Sequence, residues 1–174
     1  MKFTITGNPV SSKNSRPVFV NSATGKRFVG KSTRLTEHTE SALWELKGQI
    51  GKIKKDHRKL NSDNPFPLSG DLTVCFRFYV PDKRKRDLVN LIQLPQDLLQ
   101  EAGIIEDDSQ IKSLDGSTIL LDRKNPRTEI YVEPYRTCFN CAHFRQTIDD
   151  YQCWGEGSPV STHIVENCPG WEEE

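Results

Sequence analysis

Apolar residues along the chain switch between a period of two and helical spacing, and each switch marks an element. Leu72, Val74, Phe76, Phe78 and Val80 alternate with Thr73, Cys75, Arg77 and Tyr79, which predicts a strand with one buried face that Pro81 ends. Leu35, Ala42, Leu43, Leu46, Ile50 and Ile53 follow helical spacing, so a helix is expected from about Thr33 to Ile53. Thr33 and Thr36 are its candidate N-caps, and the basic run 52–59 its expected end. Leu88, Leu91, Ile92, Leu98, Leu99 and Ala102 predict a second helix, with Gly103 suited to follow its end. Pro95 inside it is expected to kink or split it. A short strand opens the chain at Phe3–Thr6, before Gly7-Asn8-Pro9. Two more are expected at Gln110–Leu121 and Thr128–Val132, and residues 13–31 read as a basic loop or ragged hairpin.

This order argues for an α+β fold: a small mixed or antiparallel sheet with two main helices over residues 1–134, and a separate small module over 135–174. With 174 residues, there is room for one ordinary domain and an appendage. No apolar run reaches the roughly 18–20 residues of a membrane span. The first ten residues lack the apolar core of a secretory signal, which points to a soluble, cytoplasmic protein with no membrane partner.

Charge is balanced in total and uneven in place. The 24 Lys and Arg equal the 24 Asp and Glu, yet residues 1–60 carry +9, residues 61–134 carry −4 and residues 135–174 carry −5. A basic half suggests a polyanionic partner, with scattered solvated charge as the plain alternative. The acidic residues need their own account. Asp87 follows the basic run Lys83-Arg84-Lys85-Arg86 at the start of the second helix, and Asp107-Asp108 follow that helix's end. Carboxylates brought together would repel unless a divalent cation such as Mg²⁺ joined them, with the basic run holding a phosphate. The alternative is structural: Asp87 as an N-cap and Asp107-Asp108 as a polar turn.

From Gly7 to about Pro134 the chain resembles the RusA family of Holliday-junction resolvases. The resemblance rests on Gly7-Asn8-Pro9 with Lys13 and Arg16, Arg86-Asp87-Leu88-Val89-Asn90-Leu91, Asp97-Leu98-Leu99, Ala102-Gly103-Ile104-Ile105, and Asp107-Asp108-Ser109-Gln110-Ile111. It implies a small α+β fold acting as a homodimer, in bacteria or phage-infected hosts. The expected activity is Mg²⁺- or Mn²⁺-dependent nicking of a four-way DNA junction during recombination and repair. On this resemblance Asp87 and Asp108 would be metal ligands, Asp107 a ligand or its support, and Asn90 an aligning residue. The family pattern has a second Asp where this chain has Val89, and a Lys where it has Gln93. Valine cannot bind a metal, and glutamine brings no charge. Two readings follow: three acids suffice, with Glu106 or Asp97 helping, or the fold binds junctions with cleavage lost or altered.

DNA contacts are expected from Lys13, Arg16, Arg27, Lys31, Lys83, Arg84, Lys85 and Arg86, mostly to phosphate, which suits recognition of shape. The tail holds Cys138-x₂-Cys141, then Cys153 and Cys168, a four-ligand spacing for Zn²⁺ in a segment too poor in apolar residues for its own core. A [4Fe–4S] cluster, disulfides or free thiols are the alternatives. Because the tail is acidic, it is expected to be a stabilising cap or a docking surface for a protein partner.

Overall fold

The computed structural model describes residues 1–13, 18–30, 32–60 and 62–135, with the strand segments 144–146, 151–153 and 160–161. The chain divides into two compact units, Met1–Val132 and Glu133–Glu174. The first contains β1 (Lys2–Thr6), β2 (Val18–Val20), β3 (Arg27–Val29), α1 (Thr33–Lys59), β4 (Leu72–Val80), α2 (Leu88–Glu101), β5 (Ile111–Ser113), β6 (Thr118–Leu121) and most of β7 (Arg127–Pro134). In the second, β8 (Phe144–Gln146), β9 (Tyr151–Cys153) and β10 (Val160–Ser161) form an antiparallel sheet in the order β10-β9-β8. Among the described residues no helix is long and apolar enough to cross a membrane.

The main sheet is mixed, in the order β1-β7-β4-β5. β5 and β6 both run parallel to β4, β5 beside its start at Leu72 and β6 beside its end at Val80. β1 pairs antiparallel with β7. The period of two is realised in β4, where the even-numbered residues from Leu72 to Val80 are all buried. Phe3, Ile5, Val74, Phe76, Phe78, Ile130 and Val132 meet Leu35, Ala42, Leu46 and Ile50 of α1 and Leu91, Leu98 and Leu99 of α2 in one core.

Helix α1 also closes the free edge of β1. The Thr4 N–H donates to Gln49 Oε1 (2.9 Å), and Gln49 Nε2 donates back to Thr4 O (2.7 Å). The Thr6 N–H donates to Glu45 Oε2 (2.8 Å), and its hydroxyl to Glu45 Oε1 (2.6 Å). These bonds pair the strand's unsatisfied groups, which would otherwise invite another strand. They also orient α1, so that its N-terminus lies at the end of the sheet where β1 finishes.

On the sheet face opposite the core, Arg127 Nε donates to Glu129 Oε1 (2.9 Å) and Tyr131 Oη to Glu129 Oε2 (2.8 Å), while Lys2 Nζ lies 3.2 Å from Glu129 Oε2. Burial pushes the Glu129 carboxyl up, but the bonds from Arg127, Tyr131 and Lys2 outweigh it and hold the group at about 2.

Four expectations change. Ser32, not Thr33 or Thr36, caps α1: its side chain accepts from the Leu35 N–H, three residues on, while Thr33 is already helical. The helix continues through the basic run to Lys59, because His57, Arg58 and Lys59 in its last turn complement the negative end of the helix dipole. α2 is not split at Pro95, which is buried with its apolar neighbours; packing outweighs the missing N–H. The single strand expected at Gln110–Leu121 becomes a 3-10 turn (Asp108–Gln110), β5 and β6, because a turn at Leu114–Ser117 interrupts it with Gly116 at φ 74°.

Candidate nucleic-acid interface and acidic site

Both ends of β4 carry chemistry. At its exit end, the Asp122 N–H donates to Val80 O (2.9 Å), and the Gly7 N–H donates to Pro126 O (3.0 Å). The end of β1, the start of β7 and the N-terminus of α1 therefore gather where the chain leaves β4 for the basic run. A cleft of about 600 Å³ opens there, lined by Asn8–Ser11, Arg34, Arg84, Lys85, Arg86, Asp87, Asn90 and Leu91.

The basic loop is braced by a residue the sequence reading passed over. The Arg84 N–H and Nη2 donate to Asp82 Oδ1 and Oδ2 (3.0 and 2.8 Å). Arg86 Nη1 donates to Asp82 Oδ1 (2.9 Å), to Asp82 O and to Arg84 O (both 3.2 Å). The Arg84 guanidinium, then that of Arg86, hold the Asp82 carboxyl well below the usual carboxylate range. The two arginines differ in freedom: the Arg86 side chain is 13% exposed and ties the loop together, whereas that of Arg84 is 76% exposed.

Asp87 is the N-cap of α2. Its Oδ1 accepts from the Val89 N–H (3.0 Å), and its Oδ2 from Asn90 Nδ2 (2.9 Å). Each oxygen keeps lone pairs for a further partner, and the carboxylate is exposed on the cleft wall. Val89, in the first turn of α2, is 66% exposed.

Asp107 and Asp108 sit at the entry end of β4. Gln110 Nε2 donates to Leu68 O and Gly70 O (3.0 Å each), and its Oε1 accepts from the Glu106 and Asp107 N–H groups (2.8 and 3.1 Å). Asp107 caps the 3-10 turn by accepting from the Ser109 N–H (2.9 Å), and bonds from Ser109 hold its carboxyl below the usual range. β4 spans nine residues, about 30 Å, so one chain keeps Asp87 apart from Asp107 and Asp108. Among the described residues, no three His, Cys, Asp or Glu side chains stand together as a metal site. A cage built wholly from the described carboxylates of one chain therefore does not fit. A site of one or two carboxylates completed by substrate phosphate, the usual habit of Mg²⁺, fits Asp87 in its cationic cleft.

Of the expected DNA contacts, Arg84, Lys85 and Arg86 line the cleft; Lys13, Arg27 and Lys83 are exposed elsewhere, and Arg16 and Lys31 lie outside the described residues. Cys138, Cys141 and Cys168 also lie outside them, and of Cys153 only the backbone, in β9, is described. Ser11, Arg34 and Asp82 escaped the sequence reading, and Asn8 entered it only within a motif, without a site role. Asn8 had a signal in the Gly7-Asn8-Pro9 turn, whereas Arg34 reads as any exposed helical arginine.

The sequence model of the family described as "Endodeoxyribonuclease RusA" matches residues 7–133. The chain belongs to the RusA family. A curated RusA relative, the crossover junction endodeoxyribonuclease RusA of Aquifex aeolicus (strain VF5), is 31% identical over 87 residues, which cover 50% of this chain and 57% of that protein. The match thus spans little more than half the length of the relative. The mixed sheet with two helices fits a RusA-like fold, and the RusA match ends one residue before β7 does.

Proposed function

We propose that the chain is a metal-dependent endodeoxyribonuclease that acts on branched DNA, cutting paired strands of a four-way junction by phosphodiester hydrolysis in recombination and repair, in the cytoplasm of a bacterium or phage-infected host. The observation that carries this reading is the cleft itself, where Asp87 and Asn90 stand among Arg34, Arg84, Lys85 and Arg86. Cations there attract the phosphodiester backbone, and backbone contacts suit recognition of junction shape. A Mg²⁺ or Mn²⁺ ion bound by Asp87 and a DNA phosphate would polarise that phosphate and lower the pKa of an attacking water.

Asp107 and Asp108 enter this reading through a homodimer. Because one chain holds them at the far end of β4 from Asp87, a site that uses both sets draws Asp87 from one copy and Asp107 or Asp108 from the other. The test is nicking of a labelled four-way junction, beside a matched linear duplex, by wild type, Asp87→Asn, Asp108→Asn and a refolded equimolar mixture of the two variants. Neither variant should nick, and the mixture should recover one intact site per mixed dimer. An inactive mixture would refute the shared site; a wild type that binds but does not nick would leave a second reading.

That second reading is a junction-binding protein with cleavage impaired and a tail that recruits a protein partner. It is favoured by Val89 and Gln93, which stand where the family pattern has Asp and Lys. For the tail, we propose a structural Zn²⁺ held by Cys138, Cys141, Cys153 and Cys168, supported by their spacing; about one equivalent of zinc, lost on cysteine substitution, is the expected result.

A further inference from the structure

Two buried side-chain atoms in the loop that follows β1, Asn8 Oδ1 and Ser11 Oγ, make no hydrogen bond. Buried polar atoms are nearly always paired; Asn8 Oδ1 can only accept, but the Ser11 hydroxyl is a free donor that calls for an acceptor. Both residues line the exit-end cleft. The same cleft carries Arg34 and Lys85, which make no ion pair with any described residue, and Arg84, whose exposed guanidinium can exchange its Asp82 partner for another anion. Arg86 differs, since its guanidinium is nearly buried in bracing the loop.

We propose that this cleft is a seat for one backbone phosphodiester of a DNA strand, formed by Ser11, Arg34, Arg84 and Lys85. The proposal rests on the DNA-binding reading above; it adds the Ser11 hydroxyl to that reading and makes Arg34 a direct phosphate contact, with Arg86 as a positioning residue for the loop. The donors match the ligand. A phosphodiester offers two anionic oxygens and no donor, while the Ser11 hydroxyl, two guanidiniums and an ammonium all donate. Its place beside Asp87 puts the seated phosphate next to the carboxylate that the proposed reaction uses.

The test is binding of a fluorescent four-way junction, measured by anisotropy at several salt concentrations without divalent metal. It compares wild type with Arg34→Gln, Ser11→Ala and, as a control at the other end of α1, Lys55→Gln. Arg34→Gln is expected to weaken binding about tenfold and to lower the slope of log K against log salt by about one. Ser11→Ala is expected to weaken binding about threefold to tenfold without lowering the free protein's melting temperature, because the hydroxyl has no partner to lose. A merely structural Ser11 would instead show a lower melting temperature. Lys55→Gln should stay within twofold of wild type. If wild type binds and either Arg34→Gln or Ser11→Ala also stays within twofold, the seat is wrong while the proposed function stands. If wild type binds neither junction nor duplex at low salt, both fall.

Discussion

Asp87 and Asp108 stand at opposite ends of β4, although only α2 and a short turn separate them in sequence. The helix carries the chain back along the sheet, and the Leu68 N–H, bonded to Ile104 O (2.8 Å), anchors its return beside the start of β4. Each carboxylate is exposed at its own end.

Asp87 has two separable duties, capping α2 and presenting charge to the cleft. Asparagine caps about as well as aspartate, so Asp87→Asn is expected to keep stability within about 0.5 kcal/mol, while Asp87→Ala costs about 1 kcal/mol. Both should abolish junction nicking. Urea unfolding beside a nicking assay checks this, and an active Asp87→Asn protein would remove the carboxylate from the chemistry.

Val89 occupies an exposed position in the first turn of α2, where an acid is favoured by the helix dipole. Val89→Asp should therefore leave stability unchanged or raise it by a few tenths of a kcal/mol. It is also expected to increase Mg²⁺-dependent nicking at least about tenfold, equivalent to about 1.4 kcal/mol in the barrier. Initial rates across a Mg²⁺ series measure this; an unchanged rate would show that position 89 lies away from the reacting phosphate.

Gln110 ties the segment of Asp107 to the segment before β4 with four hydrogen bonds. Gln110→Ala is expected to cost about 2 kcal/mol. The loss should be local, with faster hydrogen exchange at the Glu106 and Asp107 amides than at β4. Uniformly faster exchange would mean that the bonds support the whole domain instead.

Glu129 predicts an acid-sensitive stability. Its carboxyl titrates at about 2 in the folded chain against an ordinary 4.5, so its contribution is fully present above about pH 4.5 and is lost as pH falls towards 2. Glu129→Gln should destabilise the protein by about 2–3 kcal/mol at pH 7, and the gap from wild type should shrink through that window. Parallel pH curves for the two proteins would refute the assignment.

Much of the fold was legible because burial writes its period into the chain. The alternation through β4 and the spacing of Leu35, Leu46 and Ile50 needed no partner to be read, since each element's apolar side is a property of its own residues. Boundaries were harder. Ser32 rather than Thr33 caps α1, and Pro95 is tolerated within α2, because capping geometry and packing around a proline depend on neighbours distant in sequence.

The site divides along the same line. The basic run, Asp87, Asn90 and the order of the RusA-like residues are local facts, and the sequence alone determined them, together with the missing carboxylate at Val89. The tertiary structure decided which of these residues share a place. Strand pairing and the orientation of α1 carried Asn8, Ser11 and Arg34 to the exit end of β4 beside Arg84 and Asp87, and sent Asp107 and Asp108 to the entry end. The physical reason is that proximity across a sheet is set by pairing direction and helix reversal, which involve residues far apart in the chain, whereas periodicity and capping preference are set within a few residues.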